Sequence, residues 1–245
     1  MNRNKIKRLW GDIGDYTLLG KSYSGELPDF TNQWFPGRAV DVVWNYDVTG
    51  VWQLGEESDA AVYGLTPGDY KADDVNKDGK YLQFDDKKFI GHTAPRYRLG
   101  LRNEFTLFKN LHASIFLRAD LGHLRSMPFL TQDKSSHGRQ NDWSLPYWST
   151  ENPTNDYQKY TFPDNLGKFG GGILIYKPTG FVRIQDITLS YNVPANITQR
   201  AKLNSLRVFG SIRNFLTFTD WPGFDPESGM TPMPKTFTLG VNLSL

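Results

Sequence analysis

The run Asp74-Val75-Asn76-Lys77-Asp78-Gly79-Lys80-Tyr81-Leu82-Gln83-Phe84-Asp85 carries the chain's clearest candidate chemistry. Side-chain oxygens fall at its first, third and fifth positions, glycine at its sixth and a carboxylate at its twelfth, a spacing that wraps a loop around a calcium ion. Gly79 permits the sharp turn that gathers the early oxygens. Asp74, Asn76, Asp78 and Asp85 are the expected side-chain ligands, and Lys80 supplies its backbone carbonyl. No helices flank the loop in the sequence pattern, so the ion would stiffen a loop rather than build a two-helix calcium domain. The competing reading is an ion-free turn, because Asp, Asn and Gly favour turns on their own account.

Aromatic loops are the second candidate. Glu151–Tyr157 lies between Trp143, Trp148 and Tyr160, and its Asn152, Asn155, Asp156 and Tyr157 could meet a partner protein or sugar rings. Trp221, Phe224 and Asp225 form a smaller group of the same kind. The plainer reading is loop packing, with Pro153 and Asn155 setting turns. Arg98, Arg102, Glu104, Arg118 and Asp120 either line a ligand path or pair with one another. The four histidines are not clustered as ligands would be. The sequence contains no nucleophile–base motif or phosphate loop, and Gly170-Gly171-Gly172 lacks the strand and helix of a nucleotide fingerprint. These patterns argue against an enzyme. With no cysteine, disulfides and thiolate metal sites are excluded. A net charge of +2 gives no reason to expect nucleic acid.

The elements that must position these residues are strands. From Tyr97, the odd positions Leu99, Leu101, Phe105 and Leu107 are apolar; the even positions Arg98, Arg102, Glu104 and Thr106 are polar. Leu111, Ala113, Ile115, Leu117, Ala119 and Leu121 continue the apolar face across a turn. Successive strand side chains point to opposite faces, so one face is greasy and the other charged. About ten residues per strand suits a tilted membrane-spanning wall. Opposed residues must share a face, which selects a three-residue loop, Phe108-Lys109-Asn110. It pairs Leu107 with Leu111 and Leu101 with Leu117, with Asn110 as the expected left-handed residue. Further strands are predicted at about 39–53, 181–192, from Leu206 through Arg213, and from Thr236 to the end. Connections near 108–110 and 193–204 are short; those near 54–95, 122–180 and 218–235 are long, as for periplasmic turns and outer loops. A mean hydropathy of −0.52 and the want of any long apolar run exclude a transmembrane helix but not a barrel. The basic start, Met1 to Arg8, lacks the apolar core of a signal peptide. The chain is therefore expected to be the later part of a longer one.

Family-like segments then occur in order: Asn4-Lys5-Ile6, Pro67-Gly68-Asp69, the Asp74–Asp85 loop, Glu151–Tyr157, Val182–Tyr191, Asn214–Thr219, Gly223-Phe224-Asp225-Pro226-Glu227 and Pro234–Gly240. Through them residues 1–245 resemble the C-terminal barrel part of the SusC/RagA family of TonB-linked outer-membrane proteins, the TonB-dependent receptors. The resemblance implies an all-β, antiparallel transmembrane barrel segment, about six or seven strands of about 22, with long extracellular loops. It implies import of oligosaccharides or peptides across the cell outer membrane with a SusD-like surface lipoprotein as lid. Coupling to the TonB complex would pass through a missing N-terminal part; plug domain, TonB box and signal peptide are absent here. Family members commonly end in phenylalanine, whereas this chain ends in Leu245. The rival class is a soluble secreted β-sandwich that binds carbohydrate through its Trp-rich loops and calcium loop. It would bury Leu99, Leu101, Ile115, Leu117, Leu239 and Leu243, which a barrel turns to lipid.

Overall fold

The computed structural model describes residues 3–18, 20–130, 145–160 and 167–245. In chain order the elements are β1 (Asp12–Leu18), β2 (Lys21–Glu26), β3 (Val42–Asn45), β4 (Val48–Val51), α1 (Glu57–Val62), β5 (Tyr70–Ala72), α2 (Gln83–Asp86), β6 (Lys88–His92), β7 (Tyr97–Leu107), β8 (Leu111–Leu121) and β9 (Leu124–Ser126). They continue with β10 (Tyr176–Pro178), β11 (Phe181–Asn192), α3 (Ala195–Thr198), β12 (Ser205–Thr219) and β13 (Thr236–Ser244). Among the described residues no helix is long and apolar enough to cross a membrane. The chain divides into two compact units, one of residues 1–3, 94–124 and 178–245, the other of 4–93 and 125–177.

The first unit is built on one antiparallel sheet of five strands in the order β13-β12-β11-β8-β7. The β7–β8 hairpin has the register the polarity pattern requires: Leu107 faces Leu111, Phe105 faces Ala113 and Leu101 faces Leu117. Its three-residue turn differs from expectation in one respect. The left-handed residues are Phe108 (φ 50°) and Lys109 (φ 68°), not Asn110. Asn110 instead donates its N–H to the Phe108 carbonyl and accepts the N–H of Asn192, both at 2.9 Å. Its backbone is thereby recruited by the chain leaving β11.

Bulges reconcile strands whose alternation slips. Along β11 the apolar residues are even at Val182 and Ile184 but odd at Ile187, Leu189 and Tyr191. Ile184 pairs with Leu117 and Asp186 with Phe116, so Gln185 is an extra residue. An inserted residue returns the later side chains to the original face. Between the pairs Ile187–Ile212 and Ile184–Leu216, β12 takes a further residue, with Asn214 left-handed at φ 53°. Apart from Asn103 of β7, which stands opposite Ile115, one face of the sheet is consequently apolar. It is also open: Leu101 is 55% and Leu239 89% exposed, and Leu99, Val241 and Leu243 are exposed as well.

The second unit has small two-stranded ladders, β1–β2, β3–β6 and β4–β5. The single strand expected over about 39–53 is two short ones, broken at Tyr46-Asp47, that pair with β6 and β5 rather than with the large sheet. The reason is burial. Val42, Val43, Trp44, Asn45 and Tyr46 are all enclosed, with no solvent or lipid face. Trp44 joins Phe35, Ala39 and Val42 in an aromatic-rich core against Phe30 and Phe84.

Candidate functional site

On the face of the large sheet opposite the apolar one, Arg183 of β11 stands directly across from Arg118 of β8. Like charges opposed across strands repel, so the pair needs carboxylates, and three are present. Arg118 Nη2 donates to Asp120 at 2.8 Å and Arg183 Nη2 to Asp225 at 2.6 Å. Glu227 then bridges both, its Oε1 2.8 Å from Arg118 Nη1 and its Oε2 3.0 Å from Arg183 Nη1. Arg183 Nε donates to Thr217 Oγ1 of β12 at 2.9 Å. Both guanidinium groups lie over the Phe181 ring, 4.7 Å away for Arg183 and 5.6 Å for Arg118. Arg183 is 1% exposed, and Asp120 and Asp225 are buried.

The segment after β12 is shaped to deliver these carboxylates. Asp225 Oδ1 accepts the N–H of Glu227 at 2.9 Å and of Ser228 at 3.3 Å, a local turn that aims Glu227. Thr179 Oγ1 donates to the Pro226 carbonyl at 2.7 Å. Trp221 is buried and donates Nε1 to Gly229 O; Gly223 lies so close that an added Cβ would sit 2.1 Å from that nitrogen. Phe224, by contrast, is exposed. Of the charged residues singled out from sequence, Arg118 and Asp120 enter this network. Arg98 reaches Asp120 at 3.9 Å, and Arg102 and Glu104 stand apart, 4.0 Å from each other. Sequence reading did not single out Arg183 or Glu227. The signal for Arg183 was one arginine between Val182 and Ile184, inward by the same alternation that places Arg118.

The loop 145–160 packs within its own unit. Trp148 is buried, with Nε1 donating to Gln53 Oε1 at 3.0 Å, and it fills the space where Gly68 (φ +89°) has no side chain. Asn155 Oδ1 accepts the Val51 N–H at 2.8 Å and occupies the place of a Cβ at Gly50. Asn152 is exposed and donates to the Tyr147 carbonyl. Asp156 is exposed, 3.5 Å from Lys177, whose ammonium lies over the Tyr157 ring. Trp143 lies outside the described residues.

The 74–85 loop is braced by a stack of rings, Tyr63 on Tyr81 at 4.5 Å and Tyr81 on Phe169 at 4.7 Å. Asp74 accepts the Lys77 and Gly79 N–H groups and the Tyr63 hydroxyl. Burial pushes its carboxyl up, but these donors outweigh burial and hold it below the usual range. Burial and the charge of Asp74 push the Tyr63 phenol up to about 12. Asn76 and Asp78 accept the Asp78 and Lys80 N–H groups in successive turns. Asp85 does not face them; it is ion-paired with Lys21. The neighbouring Asp86 turns inward instead, fully buried, accepting the Val75 and Leu82 N–H groups, and burial raises its carboxyl. The loop therefore has the turns of a cation loop, but its twelfth position is committed elsewhere. Among the described residues no three Asp, Glu or His side chains converge as a metal group.

No family model matches the chain. It is similar to TonB-dependent receptor P3 of Formosa agariphila, 26% identical over 263 residues, covering 99% of this chain and 26% of that protein. TonB-dependent receptor P26 of the same organism is 24% identical over 270 residues, with the same shares covered. The chain thus spans about a quarter of the length of the curated relatives it matches. Among solved structures, a chain of the RagAB peptide transporter superposes with a TM-score of 0.60 at 18% identity, over 94% of this chain and 25% of that one. The RagAB peptide importer in its closed-closed state gives 0.60 and 18% over 98% and 26%. Over nearly its whole length, then, the chain is similar to part of two TonB-dependent receptors, and its antiparallel β fold is shared with part of a RagAB chain.

Proposed function

We propose that this chain forms part of the wall and outer loops of a TonB-dependent outer-membrane transporter that imports oligosaccharides or peptides beneath a SusD-like lipoprotein. One observation carries the reading: a five-stranded sheet exposes a face that is apolar but for Asn103 on one side and holds buried ion pairs on the other. Water on both sides would leave that apolar face unexplained, whereas a barrel turns it to lipid and its charges inward. A β-sandwich would cover Leu99, Leu101, Leu239 and Leu243, and these are open. The chain's part in transport is to bound and shape the conduit, not to catalyse.

Fractionation of cells expressing the longer protein of which this chain is expected to be the later part tests this. Recovery in the outer-membrane fraction, resistant to alkaline extraction, is expected; a monodisperse soluble product without detergent would overturn it. Uptake of labelled peptides against labelled oligosaccharides then separates the substrate classes.

The calcium ion is a separable part of the proposal. Asp74, Asn76, Asp78 and the Lys80 carbonyl would hold it, and Asp85 joins only by leaving Lys21. Calorimetry on Asp78→Ala and Lys21→Ala decides. Loss of binding in the first and tighter binding in the second are expected, and calcium binding unchanged in Asp78→Ala rejects the site.

A further inference from the structure

We propose that Arg118 and Arg183 form a ready-made seat for a carboxylate group, filled in this structure by the chain's own Glu227. The proposal deepens the transporter reading, since it names anionic ligands as the class the polar face receives.

Each guanidinium is fixed without Glu227. Arg118 is held by Asp120, Arg183 by Asp225 and Thr217, and both rest on Phe181. Each then has one Nη1 left, and the two converge on the two oxygens of a single carboxylate, at 2.8 and 3.0 Å. Two charge-assisted bonds to one carboxylate are the strong, geometrically specific form of such recognition. Burial differs sharply between host and occupant. Arg183 is 1% exposed, whereas the Glu227 side chain is 36% exposed. The carboxylate thus lies at the mouth of the seat and the arginine beneath it.

Charge balance points the same way. Two arginines, Asp120 and Asp225 sum to zero, and Arg98 at 3.9 Å from Asp120 adds one positive charge. That excess favours an anion at the seat, which Glu227 supplies in this structure. Glu227 acts as a tethered competitor whose effective concentration reaches the millimolar range or above. Only a ligand presented in quantity or held by further contacts would displace it. A peptide C-terminus and a uronic acid both offer this chemistry.

The test is binding of tri-alanine and its C-terminal amide, and of tri-galacturonate and its methyl ester, to the full-length chain in detergent, read by calorimetry. In Glu227→Ala the acid forms should bind at least about tenfold more tightly than in wild type, and the amide and ester should not. Adding Arg183→Gln should abolish the gain. Glu227→Gln, nearly isosteric, repeats the experiment if the alanine variant folds poorly by circular dichroism. A preference for tri-alanine assigns the seat to peptide termini, and for tri-galacturonate to acidic sugars. Acid and neutral forms that bind alike, or no gain in either variant, overturn the proposal. Neither result bears on whether the chain resides in the membrane, which fractionation reads separately.

Discussion

Replacing Leu239 by arginine distinguishes lipid from water at the apolar face. Leu239 is 89% exposed on β13, an edge strand of nine residues. At about 3.4 Å per residue the strand is roughly 30 Å long, and tilted by about 40° it rises through about 23 Å, close to the apolar band of a barrel. Leu239 lies one residue from the strand's middle, so in a bilayer it is near the midplane. Arginine there costs about 2–4 kcal/mol, whereas a solvent-exposed substitution changes stability by about 0.5 kcal/mol or less. The gap corresponds to a shift of about tenfold or more in the unfolding equilibrium. Thr238 is exposed on the opposite face, and Thr238→Arg is the control for β-propensity and net charge. Urea unfolding in phospholipid vesicles, followed by tryptophan fluorescence, measures both. The expected result is a large loss for Leu239→Arg and a small one for Thr238→Arg. Equal small effects would mean that this face does not meet lipid, and the transporter reading would fall with it.

Arg183→Met strands a buried Asp225 carboxylate and should cost about 3–5 kcal/mol of unfolding free energy, visible as a lowered urea midpoint; an unchanged midpoint would show the network carries no stability. Asn155→Ala removes the acceptor of the buried Val51 N–H; because Asn155 itself is exposed and water can replace it in part, the cost should be about 1 kcal/mol by the same measurement, with a value near zero contradicting a packing role. Asp74 gives a pH dependence. Its folded carboxyl lies below the unfolded value, so its contribution is present above about pH 3.9 and is lost as pH falls through the folded value. Asp74→Asn should therefore flatten the acid limb of a pH–stability curve, and an acid limb as steep as that of wild type would count against the donors assigned to Asp74.

The large sheet was legible because each of its strands has one face that must differ chemically from the other. Period-two alternation then fixes register, and the Leu107–Leu111 and Leu101–Leu117 pairs follow from it. The rule failed where both faces are enclosed. Val42 to Tyr46 alternates like a wall strand, yet it lies in a packed loop unit, where alternation carries no information about sidedness. The aromatic loops show the same limit. Trp148, Asn155 and Trp221 have the types that bind ligands, but Gly68, Gly50 and Gly223 leave the holes they fill. For Trp148 and Asn155 the complementarity joins residues far apart in sequence and is not visible in local pattern, whereas Trp221 and Gly223 are near neighbours in the chain.

The carboxylate seat lies between these cases. The extra residue at Gln185 puts Arg183 on the same face as Arg118 although the later residues of β11 have the opposite parity, and the turn at Asp225 puts Glu227 two residues later. What sequence could not supply was their meeting, because Glu227 follows Arg183 by a whole strand and the start of a loop. Once β12 is paired with β11, with its extra residue beside Asn214, the segment after Thr219 begins beside Phe181, the ring on which both arginines rest. From there the turn at Asp225 needs only a few residues to return a carboxylate over them. The bulge that keeps the outer face apolar thus also belongs to the register that brings Glu227 to its seat. A one-residue deletion at Asn214 should disturb both together: less lipid-stable protein by urea unfolding in vesicles, and loss of acid-over-amide discrimination in the Glu227→Ala background. If the deletion altered only one of the two, the wall register and the seat would be independent features of the fold.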